Sequence, residues 1–376
     1  MIDTPFLETR HAELAAQLDR FNRERPRHDL TREDEQARAV VQELAEAGLL
    51  AHTVPADLQS TTLDVRALCV AREHLSYDSS LSDLMFAMQG LGSFPVTIAG
   101  GDALKRHWLP RVKAGAAIAA FAITEPEAGS DVSAIRTTAR RDGDGYVIEG
   151  TKTFISNAGL ADFYTVFAKT DMAAGHRGIS AFVVERDAAG FAVEERLELI
   201  APHPIGRLRF DGCRVPDGNR LGDEGAGFKI AMQTLDTFRP TVGAAACGLA
   251  WRALDEAIDY AKRRVQFGRA IADFQATQMK LAEMATELDA ARLLVYRAAW
   301  RKDSGAERIT TEAAMAKLYA TESAQRIVDA AVQIHGGAGL VRGATVEHLY
   351  RDVRALRIYE GTSEIQKLVI ASQLLK

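Results

Sequence analysis

A chain of 376 residues with 47% hydrophobic and 26% charged side chains can bury a large core and has room for more than one domain. Its net charge of -5 argues against the overall basic footprint of a nucleic-acid binder. No apolar run approaches the ~20 residues that span a bilayer. The start, Met1-Ile2-Asp3-Thr4, carries acid where a secretion signal would be basic and then apolar, so we expect a cytoplasmic chain with no membrane partner.

The first hundred-odd residues read as helices. Leu14, Leu18 and Phe21 keep a three-to-four spacing up to a break at Arg25-Pro26. Thr31 then precedes an acidic first turn of Glu33, Asp34 and Glu35, with Val40, Val41, Leu44 and Leu49 on one face. A third helix is expected from about Leu63 to Leu75, and a fourth, almost uncharged, from about Leu81 to Ile98. That fourth segment (Leu84, Met85, Phe86, Met88, Leu91, Phe94) should be buried, and no Lys or Arg occurs from Ser76 to Gly101. Cys69, Cys213 and Cys247 are odd in number and far apart, which fits small buried apolar residues rather than a disulfide framework or a zinc site.

Between about Ala117 and Leu221 the periodicity changes. Short apolar runs around Phe154, Tyr164, Val166, Phe182, Val183 and Phe191 alternate with Gly, Asp and Asn, which points to a small β-sandwich or barrel. After Gly225-Ala226-Gly227 the helical pattern returns, with a packing stripe of Leu281, Met284, Leu288, Ala291, Val295 and Ala298. The fold expected is α+β, mainly α: an N-terminal helical domain over 1–116, a middle β-domain over 117–222 and a C-terminal helical bundle over 223–376. The clearest linker falls near Gly222–Gly227.

Four stretches could carry chemistry. Phe121 to Asp131 runs an apolar strand into a turn with Thr124, Pro126, Gly129, Ser130 and Asp131, exposing hydroxyls and backbone N–H groups that suit a flat polar ring or a phosphate. Taken alone, it fits an ordinary sandwich loop equally well. At Arg263-Arg264-Val265-Gln266-Phe267-Gly268 a helix is read as ending at the glycine, and its arginines could clamp a diphosphate or simply cap the helix in solvent. Gln333-Ile334-His335-Gly336-Gly337 has no preceding strand, so it is not a dinucleotide fingerprint; it is a helix cap or a place of close backbone approach.

The fourth stretch is Tyr359-Glu360-Gly361-Thr362-Ser363-Glu364, where Thr362 reads as the N-cap of a last helix. A carboxylate between Tyr and Gly just before a helix is placed to be a desolvated base, although a lone Glu in a turn is more often solvated. His335 and His348 are read as lacking metal-ligand partners at i±4, and His203, in Ala201-Pro202-His203-Pro204, as exposed. No metal site is expected.

Together and in this order, Thr124-Glu125-Pro126…Gly129-Ser130-Asp131 and Tyr359-Glu360-Gly361-Thr362 resemble the acyl-CoA dehydrogenase family of flavoproteins. The resemblance covers nearly the whole chain. It implies a four-helix bundle for the C-terminal domain, and dehydrogenation of an acyl thioester in which Glu360 takes the α-proton and FAD the β-hydride. Its flavin contacts fall on Phe121, Ile123, Thr124, Gly129 and Ser130, on Phe154 and Ser156, and on Thr362 and Glu364. Those for the diphosphate and adenosine fall on Arg264, Gln266, Phe267, Gln275, Gln333, Gly336 and Gly337. Substrate positions fall on Ser130, Asp236, Arg239, Tyr359 and Gly361, with the backbone N–H of Glu360 in an oxyanion hole.

The resemblance further implies a homo-oligomer, dimer or tetramer, and an electron-transferring flavoprotein as acceptor. Phe154 stands where a Trp is common, Ser372 where many relatives carry an Arg, and Val54–Leu58 replaces a longer motif. Some relatives place the base near Phe238; a Phe cannot serve, which leaves Glu360. An acyl chain along the uncharged fourth helix would find no partner for a terminal carboxylate, so an apolar acyl group is expected. The alternatives are an oxidase or flavin monooxygenase of the same superfamily, and a non-catalytic acyl-thioester binding protein.

Overall fold

The structure, a computed structural model, describes residues 4–25 and 33–376. The acidic start at Met1–Asp3, the break at Pro26 and the turn entry at Thr31 lie outside the described residues. The chain folds as two compact units. One comprises Met1–Glu24, Asp64–Asp83 and Asp236–Lys376, the other Arg25–Leu63 and Leu84–Leu235.

In chain order the elements are α1 (Thr9–Glu24), α2 (Glu33–Glu46), α3 (Val65–Asp78), α4 (Ser80–Ala99), α5 (Asp102–Lys113), β1 (Ala119–Ala122), β2 (Thr138–Asp142), β3 (Gly145–Ser156), β4 (Phe163–Lys169), β5 (Ile179–Glu185), β6 (Phe191–Arg196), β7 (Ile205–Pro216) and β8 (Arg220–Leu221). Then follow α6 (Gly227–Arg263), the short strands β9 (Val265–Gln266) and β10 (Arg269–Ala270), α7 (Gln275–Asp303), α8 (Thr310–His335), α9 (Thr345–Leu356) and α10 (Ser363–Leu374). The expected succession of helices, strands and helices is therefore present. The boundary between the two units falls within α4 and within α6.

The first unit is built on α3, whose Asp64 caps it by accepting from Ala67 N at 3.0 Å. Its buried Arg66, Arg72, Glu73 and His74 side chains are each paired. Arg66 meets Asp303 at 2.8 Å, Arg72 meets Asp83 at 2.7 Å, Glu73 meets Arg292 at 2.5 Å, and His74 meets Asp19 at 2.8 Å. A buried charge stripped of its partner costs several kcal/mol, so these pairs fix how α3 seats among its neighbours. Gly248 of α6 lets two backbones meet: a Cβ there would lie 2.1 Å from Glu73 O. Helix α8 buries Ala313, Ala316, Ala320, Ala324 and Ala331, small residues that admit close helix packing.

The second unit holds an open mixed sheet in the order β6-β7-β3-β2-β4-β5-β8, with β1 pairing β4 in parallel. Neither end strand pairs onward among the described residues, so the sheet does not close into a barrel. Helix α4 buries Met85, Phe86, Met88, Leu91 and Phe94 as its composition demands, while Leu84 is half-buried, and the helix docks on β1 through Gln89. The Gln89 amide donates to Ala117 O at 2.8 Å and accepts from Ala119 N at 2.9 Å. All three cysteines are buried and free.

Gly222–Gly227 is a packed turn: Gly222 N bonds Ala99 O at 2.9 Å, and a Cβ on Gly227 would come within 2.5 Å of Ser180. Helix α6 ends at Arg263, and not at Gly268 as its sequence suggests. Phe267 and Gly268, both at positive φ (52° and 79°), form the two-residue turn of the β9–β10 hairpin.

Candidate active site

In the first unit, the turn from α9 into α10 carries Glu360. Thr362 caps α10 as its sequence suggests, accepting from Ile365 N at 3.3 Å. Ser363 and Arg357 both bond Glu322 Oε1, at 2.5 and 2.9 Å, which ties the turn to α8. Glu360 and Gly361 are consecutive left-handed residues, at φ 52° and 92°. A glycine adopts this freely, whereas a glutamate does so at a cost of about 1 kcal/mol, so the surroundings must hold it. Gly361 O accepts from Lys317 Nζ at 2.8 Å and from Gln366 Nε2 at 2.9 Å.

Glu360 is half-buried, and its Oε2 is cut off from solvent with no partner among the described residues. Burial pushes its carboxyl above the ordinary carboxylate range, against the pull of Arg72, Lys317 and Arg239. Burial likewise raises the Tyr359 hydroxyl, so it stays protonated at neutral pH. A carboxylate this poorly solvated, ringed by three cations, can ionise and still accept a proton readily. Arg239 is buried and bonds Asp236 at 2.7 Å, while Asp236 also accepts from Thr310 at 2.8 Å. Phe238, at the alternative base position, is buried.

Other sequence-flagged residues of this unit gather at neighbouring helix ends. Tyr260, one turn before Arg264, stacks on His335 with ring centroids 4.2 Å apart, so the ends of α6 and α8 lie together. Around them Arg264, Gln266, Phe267, Gln275, Gln333, Gly336 and Gly337 are all exposed. A Cβ at Gly336 or Gly337 would meet only open space, which leaves room for a ligand against the backbone. Glu364 is exposed in the first turn of α10, and the Ser372 hydroxyl donates to Val369 O.

In the second unit, Phe121 is buried in β1 against Phe167, with Ile123 and Thr124 half-buried beyond it and Gly129 and Ser130 exposed. Thr153 N bonds Thr124 O at 2.9 Å, laying this turn beside the end of β3. There the register against β7 shifts between Lys152 and Ile155, and Phe154, at φ 54°, is turned outward and is 59% exposed. Bulges re-aim side chains in this way. Two residues on, Ser156 Oγ lies 2.8 Å from His203 Nε2. An exposed aromatic ring, two hydroxyls and open space over Gly129 fit a flat aromatic group with a polar rim.

His203 is half-buried and not exposed, because its ring caps Ser156. His348 does have a partner at i+4: its Nδ1 is 2.7 Å from Asp352, which also accepts from Ser80. Among the described residues no three His, Cys, Asp or Glu gather as metal ligands. Sequence reasoning missed Lys317, Gln366, Arg72 and Asp83. Lys317 left one signal, since it shares the buried α8 face of Ala313, Ala320 and Ala324 at helical spacing.

Family models match almost the whole chain: the acyl-CoA dehydrogenase N-terminal domain over 8–116, the middle domain over 120–213 and the C-terminal domain over 225–375. A mitochondrial short-chain specific acyl-CoA dehydrogenase of Bos taurus is 44% identical over 90% of this chain and 82% of that protein. A 3-(aryl)acrylate reductase of Clostridium sporogenes is 43% identical over 90% of each. The solved butyryl-CoA dehydrogenase of Megasphaera elsdenii superposes with a TM-score of 0.93 at 34% identity, covering all of both chains.

Proposed function

Because the chain belongs to the acyl-CoA dehydrogenase family, we propose that it performs the FAD-dependent α,β-dehydrogenation of an apolar acyl-CoA to the 2-enoyl-CoA. The observation that carries this reading is Glu360: a half-buried carboxylate on a strained turn, its proton affinity raised by burial and tempered by three cations. FAD, when bound, supplies the hydride acceptor. Glu360 takes the α-proton of the thioester, and its own backbone N–H stabilises the oxygen on which negative charge develops. Tyr359 shields the carboxylate, and Asp236, Arg239 and Ser130 are proposed to serve the acyl-CoA.

Thr124, Ser130, Phe154 and Ser156 are proposed to hold the isoalloxazine. The exposed set Arg264, Gln266, Phe267, Gln275, Gln333, Gly336 and Gly337 is proposed for the diphosphate and adenosine. The three-part division at 116/117 and 222/223, a homo-oligomer, an electron-transferring flavoprotein as acceptor and a cytoplasmic location belong to the same reading. Exposed Val265, Phe267, Leu340 and Val341 support a partner surface. The absence of Lys and Arg from Ser76 to Gly101 favours an uncharged acyl group.

The test is anaerobic bleaching of the bound flavin by straight, branched and aryl-propionyl CoA thioesters. The wild type should bleach with at least one apolar thioester, and Glu360→Gln should bleach slower by roughly 10²–10⁴-fold. Fast reoxidation by oxygen would make the protein an oxidase. A colourless protein that cannot be reconstituted with FAD would leave only the binding role.

A further inference from the structure

The turn that carries Glu360 is held from outside by a buried cation that makes no ion pair among the described residues. Lys317 is fully buried on α8, and its Nζ donates to Gly361 O at 2.8 Å. Gln366, also fully buried, donates to the same oxygen at 2.9 Å and to Glu360 O at 3.3 Å. Two donors thus converge on the carbonyl of Gly361, the second of two consecutive left-handed residues. A neutral donor would satisfy that carbonyl without the desolvation cost of an ammonium, so holding the turn does not by itself explain a lysine.

We propose that Lys317 is a positioning residue for Glu360, clamping the Glu360–Gly361 turn in its left-handed form and setting a positive charge behind the carboxylate. This rests on the reading of Glu360 as the base. The charges facing Glu360 are Arg72 from α3, Asp83 from α4, Arg239 from α6 and Lys317 from α8; those facing Lys317 are Glu360, Arg239, Glu322 and Glu364. Burial draws the Lys317 ammonium down to about 8, with Glu360 the largest influence opposing it. It is therefore still mostly charged at neutral pH, where it favours the ionised carboxylate.

The test separates clamp from charge with Lys317→Met, Lys317→Gln and Lys317→Arg, read by the pH profile of flavin reduction. Lys317→Met should lower kcat at least about tenfold with KM changed less than about threefold, and raise the acidic limb by about one pH unit. Lys317→Gln should recover much of kcat yet keep the raised limb, and Lys317→Arg should restore the limb. The Glu360 carboxyl stretch in infrared difference spectra, assigned by its loss in Glu360→Gln, should titrate higher in both uncharged variants.

A flavin-replete Lys317→Met with wild-type kcat and limb overturns the proposal. So does a loss of thermal stability alone. If Glu360→Gln reduces its flavin as fast as wild type, the base assignment has failed instead. Should Lys317→Met not fold, Lys317→Gln must still shift the limb and Gln366→Leu must lower kcat without shifting it; the opposite pattern refutes the inference.

Discussion

Lys152 Nζ lies 2.8 Å from Glu125 Oε1, and neither side chain reaches solvent appreciably. The same ammonium donates to Ile123 O at 3.0 Å, and the Glu125 carboxylate accepts from Arg136 N and Thr137 N at 2.6 and 2.9 Å. This knot pins the turn that displays Thr124 and Ser130. Burial works to raise the Glu125 carboxyl, but Lys152 and the backbone donors outweigh it and leave it below the ordinary range.

Lys152→Met strands a buried carboxylate and should cost about 3–5 kcal/mol in urea unfolding, whereas Lys152→Met with Glu125→Leu should recover most of that loss. The contribution of a depressed carboxyl is complete above its unfolded value and vanishes as pH falls through the folded one. Glu125→Gln should therefore flatten the acid side of the stability curve below pH ~4.5. An unchanged acid limb would refute the assignment.

His203 gives a second pH signature. Burial, helped by Arg196, lowers its imidazole to about 4. A histidine depressed in the folded state stabilises fully above its unfolded value near 6.5, and that stability disappears as pH drops toward 4. His203→Asn should remove on the order of 2 kcal/mol of this slope between those pH values, measured by unfolding at stepped pH. Its loss from Ser156 should also alter the absorbance maximum of bound flavin.

Glu360 pulls stability the other way. A carboxyl raised by burial contributes at low pH and costs stability as pH rises through its folded value. Glu360→Gln should thus be more stable than wild type at pH 8 by on the order of 1 kcal/mol, with the gap closing toward pH 4. A gap independent of pH would show that the strained backbone and not the charge is responsible.

Gly92 marks where α4 meets β1. A Cβ there would lie 2.7 Å from Ala120 N and 2.8 Å from Ala119 Cβ, so Gly92→Ala should cost about 1–3 kcal/mol. Gly218, with nothing within 4 Å of a Cβ, is the control, and Gly218→Ala should stay within about 0.5 kcal/mol. Equal melting temperatures for the two variants would contradict the packing.

What could be read without coordinates was local. The Thr362 cap, the burial of α4 and the change from helical to alternating periodicity near Ala117 each depend on residues a few positions apart, and each is present in the fold. The motif order from Thr124 to Thr362 likewise identified the family. Folding decided what lies far apart along the chain: Lys317 on Gly361, Glu125 on Lys152 and His203 on Ser156 pair across 44, 27 and 47 residues. The hairpin at Phe267-Gly268 escaped for a related reason, since a phenylalanine at positive φ announces nothing in its sequence. Periodicity and caps are properties of a segment, whereas a charge becomes a clamp only when packing excludes water and brings its partner within reach.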